Sequence, residues 1–181
     1  MRKSNQVSVA VAGIILCFIL RPTPLGAKDG VEQAGTAVLV ALSAAGATLT
    51  LLCDDAEGSR QMAISGLVTE GLTLVLKYAI DEKRPNGGHH SFPSGHSALA
   101  FSAAEFMRAR YGWTYGAVAY GAACFVAYSR VAAHQHYVHD VLAGAALGAV
   151  TSTLLTTPHK GWRVSLLGDE HTLAVSVEHS W

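Results

Sequence analysis

Polar and apolar positions divide this chain into long uncharged runs separated by short charged breaks. Val7–Leu20 carries no charge and follows Arg2 and Lys3. Ala34–Leu52 is uncharged for 19 residues, about the length of a helix that crosses a bilayer. The polar break Cys53–Arg60 contains Asp54, Asp55, Glu57 and Gly58. Gln61–Ile80 is again apolar, carries Glu70 and ends near Lys77. Asp81–Ser91 is rich in charge, Gly and His, and Arg84-Pro85 is expected to stop the preceding helix. Further helices are predicted at about Ala98–Tyr111, Tyr115–Tyr128 and Val141–Leu155, the last closed by Pro158. In the tail, Leu173, Val175 and Val177 alternate with Thr172, Ala174, Ser176 and Glu178, which is strand periodicity. With Val164–Leu167 and the Gly168-Asp169 break they predict a short β-hairpin. The expected fold class is therefore all-α, a bundle of five or six helices with a C-terminal hairpin.

Composition moves this picture toward lipid. Only 14% of the chain is charged, against about a quarter in soluble domains, and half is apolar. Acidic and basic residues balance at 13 each, so nothing points to nucleic acid as a partner. Small residues fill the apolar runs and suit close helix packing, including packing in a bilayer. Cys17, Cys53 and Cys124 are odd in number and lack metal spacing, so they are expected as buried thiols. The basic start, apolar centre and Ala27 after Leu25-Gly26 have the layout of a bacterial export signal, either cleaved after Ala27 or kept as an anchor. The organisation expected is a leader or anchor over 1–27, a helical domain over 28–160 and a tail over 161–181.

Candidate chemistry centres on Ser129–Asp140, a polar stretch between two apolar runs. Burying charge is costly unless it is paired or used. His136 and Asp140 are four apart, so on a helix they share a face. The carboxylate can then accept one imidazole N–H, fixing the tautomer and leaving the other nitrogen free to react. The planar fork of Arg130 suits phosphate oxygens. Lys77 and Arg84 are seven apart, about two turns, and face one site if the helix runs that far. Pro93-Ser94-Gly95-His96 sets a turn before a helix, where backbone N–H groups and the Ser94 hydroxyl can meet an anion. A rival chemistry is a metal cluster of His134, His136, His139 and Asp140, with His89 and His90 as added ligands. Its flanks are helical and apolar, and chelator sensitivity separates the two readings.

Taken together, Lys77-x6-Arg84-Pro85, Pro93-Ser94-Gly95-His96 and Ser129-Arg130-x5-His136-x3-Asp140 resemble the three motifs of the type 2 phosphatidic acid phosphatase (PAP2) superfamily, which includes class A acid phosphatases and vanadium haloperoxidases. The resemblance spans roughly residues 60–157. It implies that His136 attacks phosphorus to form a phosphohistidine and that Asp140 orients it. His96 would protonate the leaving oxygen and then activate water. Lys77, Arg84, Arg130, Ser94 and the Gly95 N–H would hold the phosphoryl oxygens, with no metal and no cofactor. The implied substrate is a phosphorylated lipid (phosphatidate, phosphatidylglycerol phosphate, a polyprenyl pyrophosphate or lipid A), with a small soluble phosphomonoester as the alternative. A haloperoxidase or a non-enzymatic membrane protein would differ by halide oxidation or by a lack of turnover. Alternating spans put the three motifs on one side and Arg108 and Arg110 on the other. The positive-inside rule then turns the site toward the periplasm from the inner membrane.

Overall fold

Local chain chemistry sets where each helix starts and stops. The computed structural model describes the backbone of residues 27–159, 161–169 and 172–180, and side chains over 30–159. The expected leader or anchor lies outside the described residues, apart from Ala27. Helix α1 spans Ala27–Leu52, α2 Ala56–Ile80, α3 Gly95–Tyr111, α4 Trp113–Ala132 and α5 Val138–Leu155. The Asp55 side chain caps α2 by accepting the Gly58 N–H at 2.8 Å. Asp81 ends α2 in the left-handed region (φ 41°), its N–H returning to the Lys77 carbonyl at 3.1 Å. The helix thus stops before Pro85 can act on it, so Arg84 belongs to a loop and not to a continued α2. Helix α3 starts at Gly95, earlier than the expected Ala98, because the Ser94 carbonyl already accepts the Ala98 N–H at 3.0 Å. After the helices, strands β1 (Gly161–Asp169) and β2 (Thr172–Ser180) pair antiparallel, with Gly161 opposite Ser180 and Val164 opposite Val177.

Helix α3 is the centre of the bundle and packs against all four other helices. Its Ala100, Ala104 and Phe106 join Leu39 and Leu42 of α1 and Ala119, Ala123 and Val126 of α4 in the apolar core. Helix α5 meets α3 backbone to backbone. A Cβ at Gly144 would strike the Ser94 carbonyl, and one at Gly148 would strike that of Ala98. Only glycine permits this approach, and it sets the first turn of α5 beside the first turn of α3. Gly35 does the same for α1, since a Cβ there would lie 2.7 Å from Arg130 Nη2. The start of α1, the end of α2, the starts of α3 and α5 and the end of α4 gather at one end.

Around this core the bundle buries several hydroxyl side chains and exposes many large apolar ones. Buried positions include Ser65, Thr69, Thr73, Ser97, Ser102, Thr151 and Ser152, whereas Leu67, Leu72, Val75, Val118, Leu142, Val150 and Leu154 are exposed. Among the described residues, Gly30–Leu52, Ala56–Ile80 and Val138–Leu155 are long and apolar enough to cross a membrane. Cys53 and Cys124 are exposed, which corrects the expectation of buried thiols for these two; Cys17 lies outside the described residues. Small residues fill the close-packed seams, and these cysteines fall on the outer face.

Candidate active site

The turn between α4 and α5 delivers His136. His134 adopts a left-handed φ of 56°, and the Arg130 carbonyl accepts N–H groups from Gln135 (3.0 Å) and His136 (3.3 Å). His136 therefore sits in the turn, just ahead of α5, and not on a helical face with Asp140 as the spacing predicts. Asp140 is in the first turn of α5, where its Oδ2 accepts the Tyr137 N–H at 2.9 Å. The pair still meets: His136 Nδ1 lies 3.5 Å from Asp140 Oδ2. Between them stands Ser91, whose hydroxyl donates to Asp140 Oδ2 at 2.5 Å and lies 3.4 Å from His136 Nδ1. Ser91 carries no signal in the sequence, since it lies outside all three motifs. His136 is nearly buried and Asp140 fully so. Burial, with Arg84 and Lys77 nearby, lowers the His136 pKa to about 4 against the opposing pull of Asp140. The imidazole is thus neutral at neutral pH.

The Pro93–His96 turn is locked onto α5 from the other side. The Ser94 N–H donates to the Asp140 carbonyl at 3.0 Å. Ser94 is buried, and its hydroxyl accepts from Ser97 Oγ at 3.2 Å, which leaves its own proton to donate elsewhere. Gly95 packs against α2, where a Cβ would sit 3.6 Å from Thr73 and 4.0 Å from Lys77 Cε. His96 Nε2 lies 3.3 Å from Thr36 Oγ1 of α1. Burial, with the charges of Arg130, Arg84 and Lys77 and the His136 ring nearby, lowers the His96 pKa to about 3, so its ring is neutral in the unliganded protein. The three segments therefore converge.

The three cations are held differently from one another. Lys77 Nζ donates to the carbonyls of His90 (3.0 Å), Ser91 (3.4 Å) and Pro93 (2.7 Å). It thereby ties the 90–93 loop down, a structural task that the motif spacing does not reveal. Arg84 Nε donates to the His89 carbonyl at 3.1 Å and its Nη1 to Gln135 Oε1 at 3.3 Å. Arg130 is almost fully buried, and its Nη2 donates to the Glu32 carbonyl. The Glu32 carboxylate lies 3.8 Å from Arg130 Nη1 and accepts from Gln135 Nε2 at 2.8 Å. Glu32 and Gln135 thus link the two arginines. Sequence reasoning missed both, since a single acid some hundred residues before Arg130 has no local pattern. Of the residues in the rival metal reading, His134 is exposed near its own helix end and His89 and His90 lie beside Asp81 at 3.5 and 3.0 Å, whereas His139 Nε2 lies 3.2 Å from Asp140 Oδ1.

Comparison with known proteins bears on the fold and the family. The chain is 37% identical over 109 residues to a lipid A 1-phosphatase of Porphyromonas gingivalis, covering 58% of this chain and 23% of that protein. It is 32% identical over 125 residues to a lipid A 4'-phosphatase of Helicobacter pylori, covering 62% of this chain and 63% of that one. The chain thus spans under two thirds of either relative. Its fold matches crystal structures of Aquifex aeolicus LpxE (TM-score 0.57, 20% identity, 82% of this chain and 92% of that one) and of a transmembrane PAP2-type phosphatidylglycerolphosphate phosphatase from Bacillus subtilis (TM-score 0.56, 24% identity, 86% and 85%). Residues 73–163, half of the chain and the part that holds all three motifs, match the PAP2 superfamily, and the chain belongs to that family.

Proposed function

We propose that this protein is a membrane phosphatase that hydrolyses a phosphate monoester on a lipid, lipid A being the first candidate from its named relatives. The observation that carries the reading is the buried His136–Asp140 pair, bridged by Ser91 and set among Lys77, Arg84 and Arg130 at one end of a bundle with an apolar exterior. His136, neutral and held through Nδ1, attacks phosphorus and forms a phosphohistidine. Asp140 stabilises the positive charge that the ring then carries. The negative charge of the incoming phosphate favours the protonated form of His96, which gives that proton to the leaving oxygen and later takes one from water. Arg84 and Arg130 hold the phosphoryl oxygens with the Ser94 hydroxyl and the Gly95 N–H. Phosphoryl transfer asks for positioning and charge stabilisation above all. Lys77 adds its charge while it fixes the loop.

The apolar exterior favours a lipid over a soluble phosphomonoester, because the substrate's chains can stay in the membrane while its phosphate enters the polar end. Arg108 and Arg110 lie at the opposite end, so the positive-inside rule turns the site outward, toward the periplasm. The test is purified protein in detergent assayed against lipid A, phosphatidate, phosphatidylglycerol phosphate, a polyprenyl pyrophosphate and a nitrophenyl phosphate. Release of phosphate from one or more lipids well above the soluble ester is expected. Turnover of the soluble ester alone would move the protein to the soluble acid-phosphatase branch, and an inactive protein would remove the enzymatic reading. A reporter active only outside the cytoplasm, fused after residue 92, should be active; silence there reverses the orientation.

A further inference from the structure

We propose that Glu82, His139 and Asp140 form a binding site for a divalent transition-metal cation, typified by zinc, which shares Asp140 with the catalytic pair through that residue's other oxygen. Glu82 comes from the loop after α2, and His139 and Asp140 come from the first turn of α5. His139 Nε2 lies 2.9 Å from Glu82 Oε1 and 3.2 Å from Asp140 Oδ1, and the three ligand atoms all lie within 4.8 Å of one another. A tetrahedral zinc with bonds of about 2.0–2.1 Å spaces its ligands roughly 3.3 Å apart. The two separations from His139 are close to that, and the Glu82–Asp140 separation is at most 4.8 Å. The His139 ring is also held in place: Tyr137 stacks on it at 5.4 Å and 9°, and Phe92 at 6.3 Å and 28°.

A second observation points to a ligand. Asp140 is fully buried, and its hydrogen-bond donors, Ser91 Oγ and the Tyr137 N–H, both converge on Oδ2, the oxygen nearest His136. Its Oδ1 accepts no hydrogen bond and faces His139 and Glu82. A buried carboxylate oxygen without a donor is costly, and a cation satisfies it. His139 is largely exposed and Glu82 partly so, which gives an ion a way in and leaves a fourth position to water. A cation on Oδ1 would draw electron density from the carboxylate that supports His136 and weaken the imidazole as a base. The site is therefore inhibitory, unlike the metal centre of a hydrolase. This effect on turnover rests on the phosphatase reading, whereas the binding does not.

The experiment titrates zinc into the purified full-length protein in detergent against a chromophoric chelator, for wild type, His139→Ala and Glu82→Gln. Loss of an outer-shell partner alone costs metal sites about 10- to 100-fold in affinity. We expect one zinc per chain in the wild type and at least about tenfold weaker binding in each variant. With nitrophenyl phosphate as substrate, zinc should inhibit the wild type and EDTA should reverse the effect, while both variants keep their metal-free rate and resist zinc. Equal zinc affinity in wild type and variants would overturn the site. Site-dependent binding without inhibition would overturn the inhibitory role. Absence of turnover with site-dependent zinc binding would sink the phosphatase reading and leave the site standing.

Discussion

His136 and His96 have different roles in the proposed mechanism, and substitution separates them. His136→Ala removes the nucleophile, so no phosphoprotein forms and turnover should fall by orders of magnitude. His96→Ala keeps the nucleophile and loses proton transfer, a contribution typically of about 100- to 10,000-fold. A nitrophenyl leaving group needs little protonation, so the first step should recover in part while release of phosphate stays slow. Labelled phosphoprotein should accumulate in His96→Ala and be absent from His136→Ala, and the opposite pattern would exchange their roles. The charge state of His136 is a separate matter. Burial and the neighbouring cations hold its pKa at about 4. A depressed histidine pKa means the ring is neutral above that value and charged below it. In NMR titration of the unliganded protein, the ring signal that disappears in His136→Ala should inflect well below the ordinary 6.5. An inflection near the ordinary 6.5 would mean that the ring is solvated or more tightly paired with Asp140.

At the scale of the elements, the α3–α5 seam is what aligns the two halves of the site. Gly144→Leu would drive a side chain into the Ser94 carbonyl, next to the Ser94 N–H that bonds Asp140. Overpacking of this kind costs about 1–3 kcal/mol, and here it would also displace Ser94–His96. We expect a lower unfolding temperature in detergent and a collapse of activity. Gly71 is the control, because nothing lies within 4 Å of a Cβ there. Gly71→Ala in mid-helix should be neutral or stabilising by about 0.5–1 kcal/mol. Equal damage from both substitutions would remove the seam argument. The same helix shows how a charge is tolerated among apolar residues. Glu105 of α3 accepts from Arg108 (2.7 and 2.5 Å), Tyr120 (2.6 Å) and Thr153 (2.6 Å), so both of its oxygens are satisfied in the interior.

Across the whole molecule, the end opposite the site is closed by a second polar cluster. Arg110 donates to both oxygens of Asp55 at 2.7 and 2.5 Å, and the Tyr111 hydroxyl donates at 2.7 Å. Arg110 Nη1 also donates to the Thr157 carbonyl at 2.7 Å, which ties the chain after α5 to α3. Burial would raise the Asp55 pKa, but these hydrogen bonds with the Gly58 N–H outweigh it and hold the carboxyl at about 2, down from 3.8. A depressed carboxyl stabilises the fold above its unfolded pKa and loses that contribution as pH falls through the folded one. Asp55→Ala leaves Arg110 buried without its partner and should cost about 3–5 kcal/mol at pH 7. The gap in unfolding temperature between wild type and variant should narrow below 3.8 and close toward about 2. A gap that stays constant over that range would show that the lost contribution is packing.

The helices, the hairpin and the residues proposed for the site were legible in the sequence. Periodicity and charge breaks are local, and the three motifs carry their chemistry in short spacings such as His136-x3-Asp140. The sequence nominates Lys77, Arg84, Ser94, Gly95, His96 and Arg130 as candidates, because residue type at fixed spacing is enough for that. Only the tertiary structure decided how they are held. Asp81 turned the chain out of α2 before Arg84, which a helical count past Lys77 does not foresee. Ser91 came to Asp140, and Glu32 and Gln135 to the two arginines, through contacts between residues far apart in the chain that leave no local pattern. The seam glycines did the rest: Gly144 and Gly148 have a physical meaning only once α5 lies on the carbonyls of Ser94 and Ala98.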